Sequence, residues 1–99
     1  MFARLGSAQV SIDKLDKGIT IWKEKDMPPM DSVEGYLGAY LLTDRKTGKV
    51  ISMTLWNSEE DAIADEQSNL HKNQVDMYKD ILIGDPVFQR YEVSAQHKV

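Results

Sequence analysis

Between Glu34 and Glu60 the chain reads EGYLGAYLLTDRKTGKVISMTLWNSEE, the stretch that most narrows what it can fold into. Gly35 opens a largely apolar run to Thr43, and a polar turn, Asp44-Arg45-Lys46-Thr47-Gly48, closes it. Gly48 can supply the positive φ such a turn needs. A second run, Lys49 to Asn57, ends on Trp56, and Ser58-Glu59-Glu60-Asp61 follows as a helix start, with a capping hydroxyl and acids in the first turn. Leu37, Ala39 and Leu41 share a parity with Ile51, Met53 and Leu55, while Tyr36, Gly38 and Tyr40 go with Ser52, Thr54 and Trp56. The two faces of this hairpin therefore have different jobs, and the loop alone leaves their register open.

The flanking segments complete a pattern. Residues 2–10 alternate around Phe2, Leu5 and Val10, as a strand does. Ser11 is placed to cap a helix whose apolar face is Ile12, Leu15, Ile19 and Trp22. Pro28-Pro29 ends it, because proline lacks the N–H and disfavours helix in the residue before it. Ile63, Gln67, Leu70, Gln74, Met77 and Ile81 recur at helical spacing until Gly84, which predicts one long helix with Ser68-Asn69 as the point of a kink or break. Val87 to Ala95 is the last strand. The order is β-α-β-β-α-β, an α+β ferredoxin-like fold with a four-stranded antiparallel sheet and two helices on one face. Its other face is left bare, and an apolar sheet face is rarely left to water. A second copy of the chain, related by a two-fold axis, is the expected cover.

Ninety-nine residues make one domain, 1–99, and a chain this short gains from oligomerisation because it buries only ~60–65% of its unfolded surface. Twelve basic against sixteen acidic residues leave a net charge of −4, poor electrostatics for nucleic acid or an anionic membrane. The aromatic strand at Gly35–Tyr40 echoes an RNA-binding motif, but it sits on the second strand after Glu34 and lacks basic flanks. No apolar run approaches the ~20 residues of a membrane span, and no signal peptide is expected at the N-terminus. The absence of cysteine excludes disulfides, thiolate nucleophiles and cysteinyl metal sites, and suits the cytoplasm.

The strand order, the Glu34-Gly35-Tyr36 opening of strand two, Leu55-Trp56-Asn57-Ser58-Glu59-Glu60 and Arg90-Tyr91-Glu92-Val93 together resemble the antibiotic-biosynthesis-monooxygenase-like group of the dimeric α/β-barrel superfamily. The resemblance runs over residues 2–96. It implies a homodimer whose sheets pack face to face, with a pocket between sheet and helices in each subunit. It further implies oxidation of a small phenolic or quinol-type aromatic by O2 with no metal or prosthetic group. In that family an Asn lies four residues before the tryptophan and a Tyr six after it; Ser52 and Ala62 stand there. Haem-degrading relatives carry a second Trp nine residues on and a ligand His nineteen on, where this chain has Asp65 and Val75. Haem degradation is accordingly the lesser expectation.

On this reading Trp56 grips an aromatic ring, and His71 and Arg4 give acid–base or electrostatic help, making these three the catalytic candidates. Trp22, Tyr36, Tyr40, Ser52 and Gln67 are the expected pocket lining. Each has a plainer alternative. Trp56 can plug the sheet–helix junction, the tyrosines can form a core or a dimer seam, and Gln67 and Gln74 can sit at the edge of the apolar stripe. His71 has no Asp, Glu or His three or four residues away to orient it. Arg4 and Arg90 can receive a carboxylate or phenolate, or pair with local acids. The acids Glu59, Glu60, Asp61, Asp65 and Glu66 show no metal-site spacing with a histidine and read as a solvated helix face. No cofactor and no metal is expected. A non-catalytic dimeric module that binds a small aromatic or apolar metabolite is the competing function.

Overall fold

The computed structural model describes residues 1–99. Strand β1 (Phe2–Gln9) passes through a 3-10 turn at Ile12–Lys14 into helix α1 (Leu15–Ile21). This helix widens into a π-helical turn, Trp22–Asp26, and a 3-10 turn at Pro28–Ser32 follows. The hairpin is β2 (Tyr36–Thr43) and β3 (Lys49–Trp56), and α2 (Glu59–Glu66), α3 (Asn69–Asp76) and β4 (Val87–Glu92) complete the chain. All neighbouring strands are antiparallel, in the order β2-β3-β1-β4. This is the expected α+β ferredoxin-like sheet. No helix is long and apolar enough to cross a membrane.

Three local departures from the sequence pattern shape the interior. Ahead of Pro28 and Pro29, which offer no N–H to carbonyls four residues back, the helix loosens, and Met27 N–H bonds the Trp22 carbonyl five residues back at 3.0 Å. Asp26, at the end of this wide turn, is 7% exposed. At the other end of the helix, Ile12 is 56% exposed rather than part of the apolar face. It lies in the 3-10 turn ahead of the helix rather than on the helix itself.

The second departure is a bulge in β2 between Tyr36 and Gly38. One extra residue inverts the facing of everything after it. Ala39 and Leu41 pair with Thr54 and Ser52 on the helix side, and Tyr40 and Leu42 pair with Met53 and Ile51 on the open side. The parity expected from the sequence thus holds only at Tyr36, opposite Trp56.

Third, the long second helix is two helices. Ser68 caps α3 by accepting the His71 N–H at 3.1 Å, and its hydroxyl donates to the Asp65 carbonyl at 2.6 Å. The chain therefore turns between α2 and α3 while the two stay tied together. The apolar interior is correspondingly divided. Val10, Leu15 and Ile81 form one buried cluster with Ile19 and Tyr78 against it, and Met30, Trp56 and Ala62 form another with Phe2 and Tyr36. Replacing Ser68 by Ala removes both bonds at this corner and should lower stability by about 1 kcal/mol in urea unfolding. A loss under a few tenths of that would show that the corner is held by something else.

Candidate functional site

Between the two apolar clusters lies a cavity enclosing about 910 Å³ of atom-free space, its open mouth included. The helix side of β1 and β3 is its floor, with Gly6, Ala8 and Ser52. Small residues there leave room, since no bulky side chain rises from the middle of the sheet. The π-helical turn contributes Trp22 and Asp26, and α3 contributes His71 and Gln74. Phe88 reaches in from the edge strand with its ring over Gly6, where a Cβ would stand 2.7 Å from the ring.

The floor carries one buried cation. Arg4, 5% exposed, donates through Nη2 to Asp65 Oδ2 at 2.9 Å and through Nη1 to the Ala62 carbonyl at 3.3 Å. Its guanidinium lies 5.0 Å from the centre of the Trp56 ring, a cation–π distance. Arg90, opposite Arg4 on β4, is taken by Glu66 and Glu59 instead. The two arginines thus pair with local acids, and no bidentate anion site opens between them. Asp65 corrects the expectation of a solvated acidic face, because its side chain is 1% exposed.

Of the expected catalytic residues, Arg4 and His71 lie on the cavity wall and Trp56 does not. Trp56 is 0% exposed, with its indole N–H donating to Thr54 Oγ1 at 2.9 Å, so it plugs the sheet–helix junction. Among the expected lining residues, Trp22 and Ser52 are in place, and Trp22 Nε1 donates to Ser52 Oγ at 3.0 Å. Tyr36 belongs to the Trp56 cluster, edge-on at 5.8 Å. Tyr40, turned outward by the bulge, is 60% exposed. Gln67 is exposed at the end of α2, where the helix break removes it from the stripe; Gln74, one cap later, is buried in the wall.

The break also supplies the partner that His71 lacks by helical spacing. Asp65, six residues earlier, brings Oδ2 to 3.8 Å from His71 Nδ1, and the Phe88 ring packs edge-on at 5.2 Å. Burial, then the Arg4 charge, push the His71 pKa below that of a free imidazole, so the ring is neutral at pH 7.

The least expected member is Asp26. Burial raises its pKa from 3.8 to about 6, against a hydrogen bond from the Tyr78 hydroxyl and the Arg4 charge, which both lower it. Gln74 Nε2 holds the Asp26 carbonyl at 2.8 Å. Burial and the adjacent Asp26 push the Tyr78 pKa far up, so this phenol remains a donor. Asp26 stands four residues after Trp22 and Tyr78 four after Gln74, so both continue the helical spacing, but neither residue type marks a buried position by itself. Asp65 had a faint signal, being three residues after the buried Ala62 and so on the same face.

Two outcomes follow from these charges. Asp65→Ala leaves the Arg4 cation uncompensated and should cost about 3–5 kcal/mol, whereas the paired change Arg4→Met with Asp65→Leu should cost much less. Denaturant unfolding of both variants decides it; equal losses would contradict a paired buried charge. For Asp26, the folded chain holds the proton more tightly than the unfolded one between pH 3.8 and about 6. The resulting stabilisation is present below that window and lost as pH rises through it. Asp26→Asn should therefore be more stable than the parent at neutral pH, by up to ~3 kcal/mol, with the gap closing towards pH ~4. A destabilised Asn variant at neutral pH would contradict this.

No protein-family model matches the chain. Two uncharacterised proteins of Mycobacterium tuberculosis, from strains CDC 1551 / Oshkosh and H37Rv, are each 25% identical over 100 residues. The match covers 99% of this chain but 43% of each relative, so the chain spans less than half their length. Among solved structures, a Streptomyces coelicolor monooxygenase in complex with nanaomycin D superposes with a TM-score of 0.83 at 14% identity, over 99% of this chain and 91% of that one. A haem degrader of M. tuberculosis with two haems bound in its active site gives 0.77 at 13%, over 99% and 100%. An antibiotic biosynthesis monooxygenase gives 0.75 at 11%, over 96% and 100%. The chain has the fold of the antibiotic biosynthesis monooxygenases, the group its Trp56 segment resembles.

Proposed function

We propose that residues 1–99 act as one ligand-binding unit, a monooxygenase-like protein that takes a small phenolic or quinol-type aromatic into its cavity and oxidises it with O2 without a prosthetic group. The observation that carries this reading is the cavity itself, with 14 hydrophobic residues among the 23 that line it. An apolar lining of this kind suits a small aromatic ring. The fold is also one in which the S. coelicolor protein holds nanaomycin D. For a phenol, the balanced change is ArOH carrying a ring C–H, plus O2, to quinone plus water. The phenolate carbon bonds one oxygen atom, the ring C–H proton leaves, and O–O cleavage releases the other oxygen as water. In this reading Trp22 and Ser52 line the ring's berth, while His71 and Arg4 set the field around it.

One observation favours the second reading, a binding module without chemistry: Trp56 is sealed in the core with its N–H already bonded. Haem is the weaker candidate ligand, because the wall's only imidazole, His71, is wedged between Asp65 and Phe88. The open sheet face supports the homodimer. Tyr40, Leu42, Val87 and Tyr91 on that face are 60%, 49%, 58% and 51% exposed. Absence of cysteine is in keeping with a cytoplasmic setting.

Oxygen uptake over a panel of hydroquinones, naphthols and anthrones tests the chemistry, with Ala8→Phe to fill the cavity. Uptake abolished by the filling variant is expected. Binding without uptake would select the module, and equal uptake by both proteins would place the chemistry elsewhere. Light scattering should give twice the chain mass of 11.3 kDa, and Leu42→Glu should return it to the single-chain value. A parent protein of single-chain mass at micromolar concentration would contradict the dimer.

A further inference from the structure

The cavity wall holds one acid whose geometry the fold alone does not require. Asp26 is 7% exposed and lines the cavity. Its Oδ2 accepts the Tyr78 hydroxyl, and its backbone carbonyl is held by Gln74. Its Oδ1 accepts no hydrogen bond from the protein, yet no buried side-chain oxygen is sealed without a partner, so Oδ1 keeps accessible surface on a residue that lines the cavity. Arg4, the nearby cation, is already neutralised by Asp65 at 2.9 Å. The cavity therefore offers a free acceptor and no free positive charge, which favours a neutral ligand bearing a donor over a carboxylate anion.

We infer that Asp26 is the group that holds the hydroxyl of a bound phenol through Oδ1 and takes its proton as the ring is oxidised, with Tyr78 as the positioning residue that fixes the carboxylate. The inference rests on the proposed use of the cavity for a phenolic aromatic. The proton leaves the phenol oxygen, the O–H electron pair stays on that oxygen, and the carboxylate becomes the acid. A phenol titrates near ~10, about four units above Asp26, so the ground state is a hydrogen bond and transfer accompanies the loss of electrons from the ring. The charged or titratable groups that act on Asp26 are Tyr78 after α3, Arg4 on β1 and Asp65 on α2; Tyr36 on β2 feels the Asp26 charge in turn, and His71 of α3 shares the cavity wall.

The test compares binding of 2-naphthol with that of 2-methoxynaphthalene, which has the same ring and no proton to give. The parent protein should bind the naphthol at least about tenfold tighter near pH ~7.5, with the preference fading as Asp26 protonates below about 6. Asp26→Leu should bind both probes equally, and Asp26→Asn should show a smaller preference that no longer varies with pH. Tyr78→Phe should keep the preference and move its midpoint upward, because the lost hydrogen bond had lowered the Asp26 pKa. Equal binding of the two probes by the parent, or a preference that survives in Asp26→Leu, would overturn the role of Asp26 while leaving the cavity reading intact. Failure of the parent to bind either probe would overturn both.

Discussion

The rest of the structure depends on what is done with one buried guanidinium. Taking Arg4 out of water costs several kcal/mol unless its charge and donors are met. Asp65, the Ala62 carbonyl and the Trp56 ring meet them from α2 and β3. That arrangement pins α2 onto the sheet and closes the Trp56 end of the interior. It also reaches across the cavity, since the Arg4 charge adds to burial in keeping His71 neutral and moderates the proton affinity of Asp26. A cation that looks from the sequence like a binding group for an anion is thus spent on architecture, and its field rather than its contacts remains for the site.

The interior is two small clusters with space between them, not one packed core. Only 13 of 99 residues are buried, and five of these are polar or charged, so the chain keeps little apolar packing in reserve. Two features draw on it. The open face of the sheet leaves aromatic and aliphatic side chains in water, which a second copy would cover. Asp26 keeps a destabilising charge in a low-dielectric pocket at neutral pH, a strain commonly kept where function needs it. The cavity and the bare face lie on opposite sides of the same sheet, so ligand binding and association need not compete for residues.

Much of the fold was readable because it rests on strong local signals: Gly48 in the hairpin turn, Ser58 before three acids, and Pro28-Pro29 after an apolar helical face. The break at Ser68-Asn69 was readable as a position, but its consequence was not. Only the folded chain shows that the break carries Gln67 out of the stripe and brings Asp65 within reach of His71, six residues on. The facing of Tyr40 was lost to a bulge at Leu37-Gly38, which leaves no mark on an alternating pattern until a register is known. Asp26 was hidden for a different reason. It stands four residues after Trp22, in step with Leu15 and Ile19, but a carboxylate at the end of an apolar stripe reads as solvated until the fold closes over it. At Tyr40 the local rule was sound and one inserted residue changed its phase.

The central claim is that a phenolic ligand sits in the cavity with its hydroxyl on Asp26. The most direct measurement is the carboxyl carbon NMR titration of Asp26, alone and with saturating 2-naphthol or its methyl ether. The account predicts a midpoint at about 6 in the free protein, displaced by the naphthol and unmoved by the ether. An ordinary carboxylate midpoint near ~4 that neither compound shifts would contradict it.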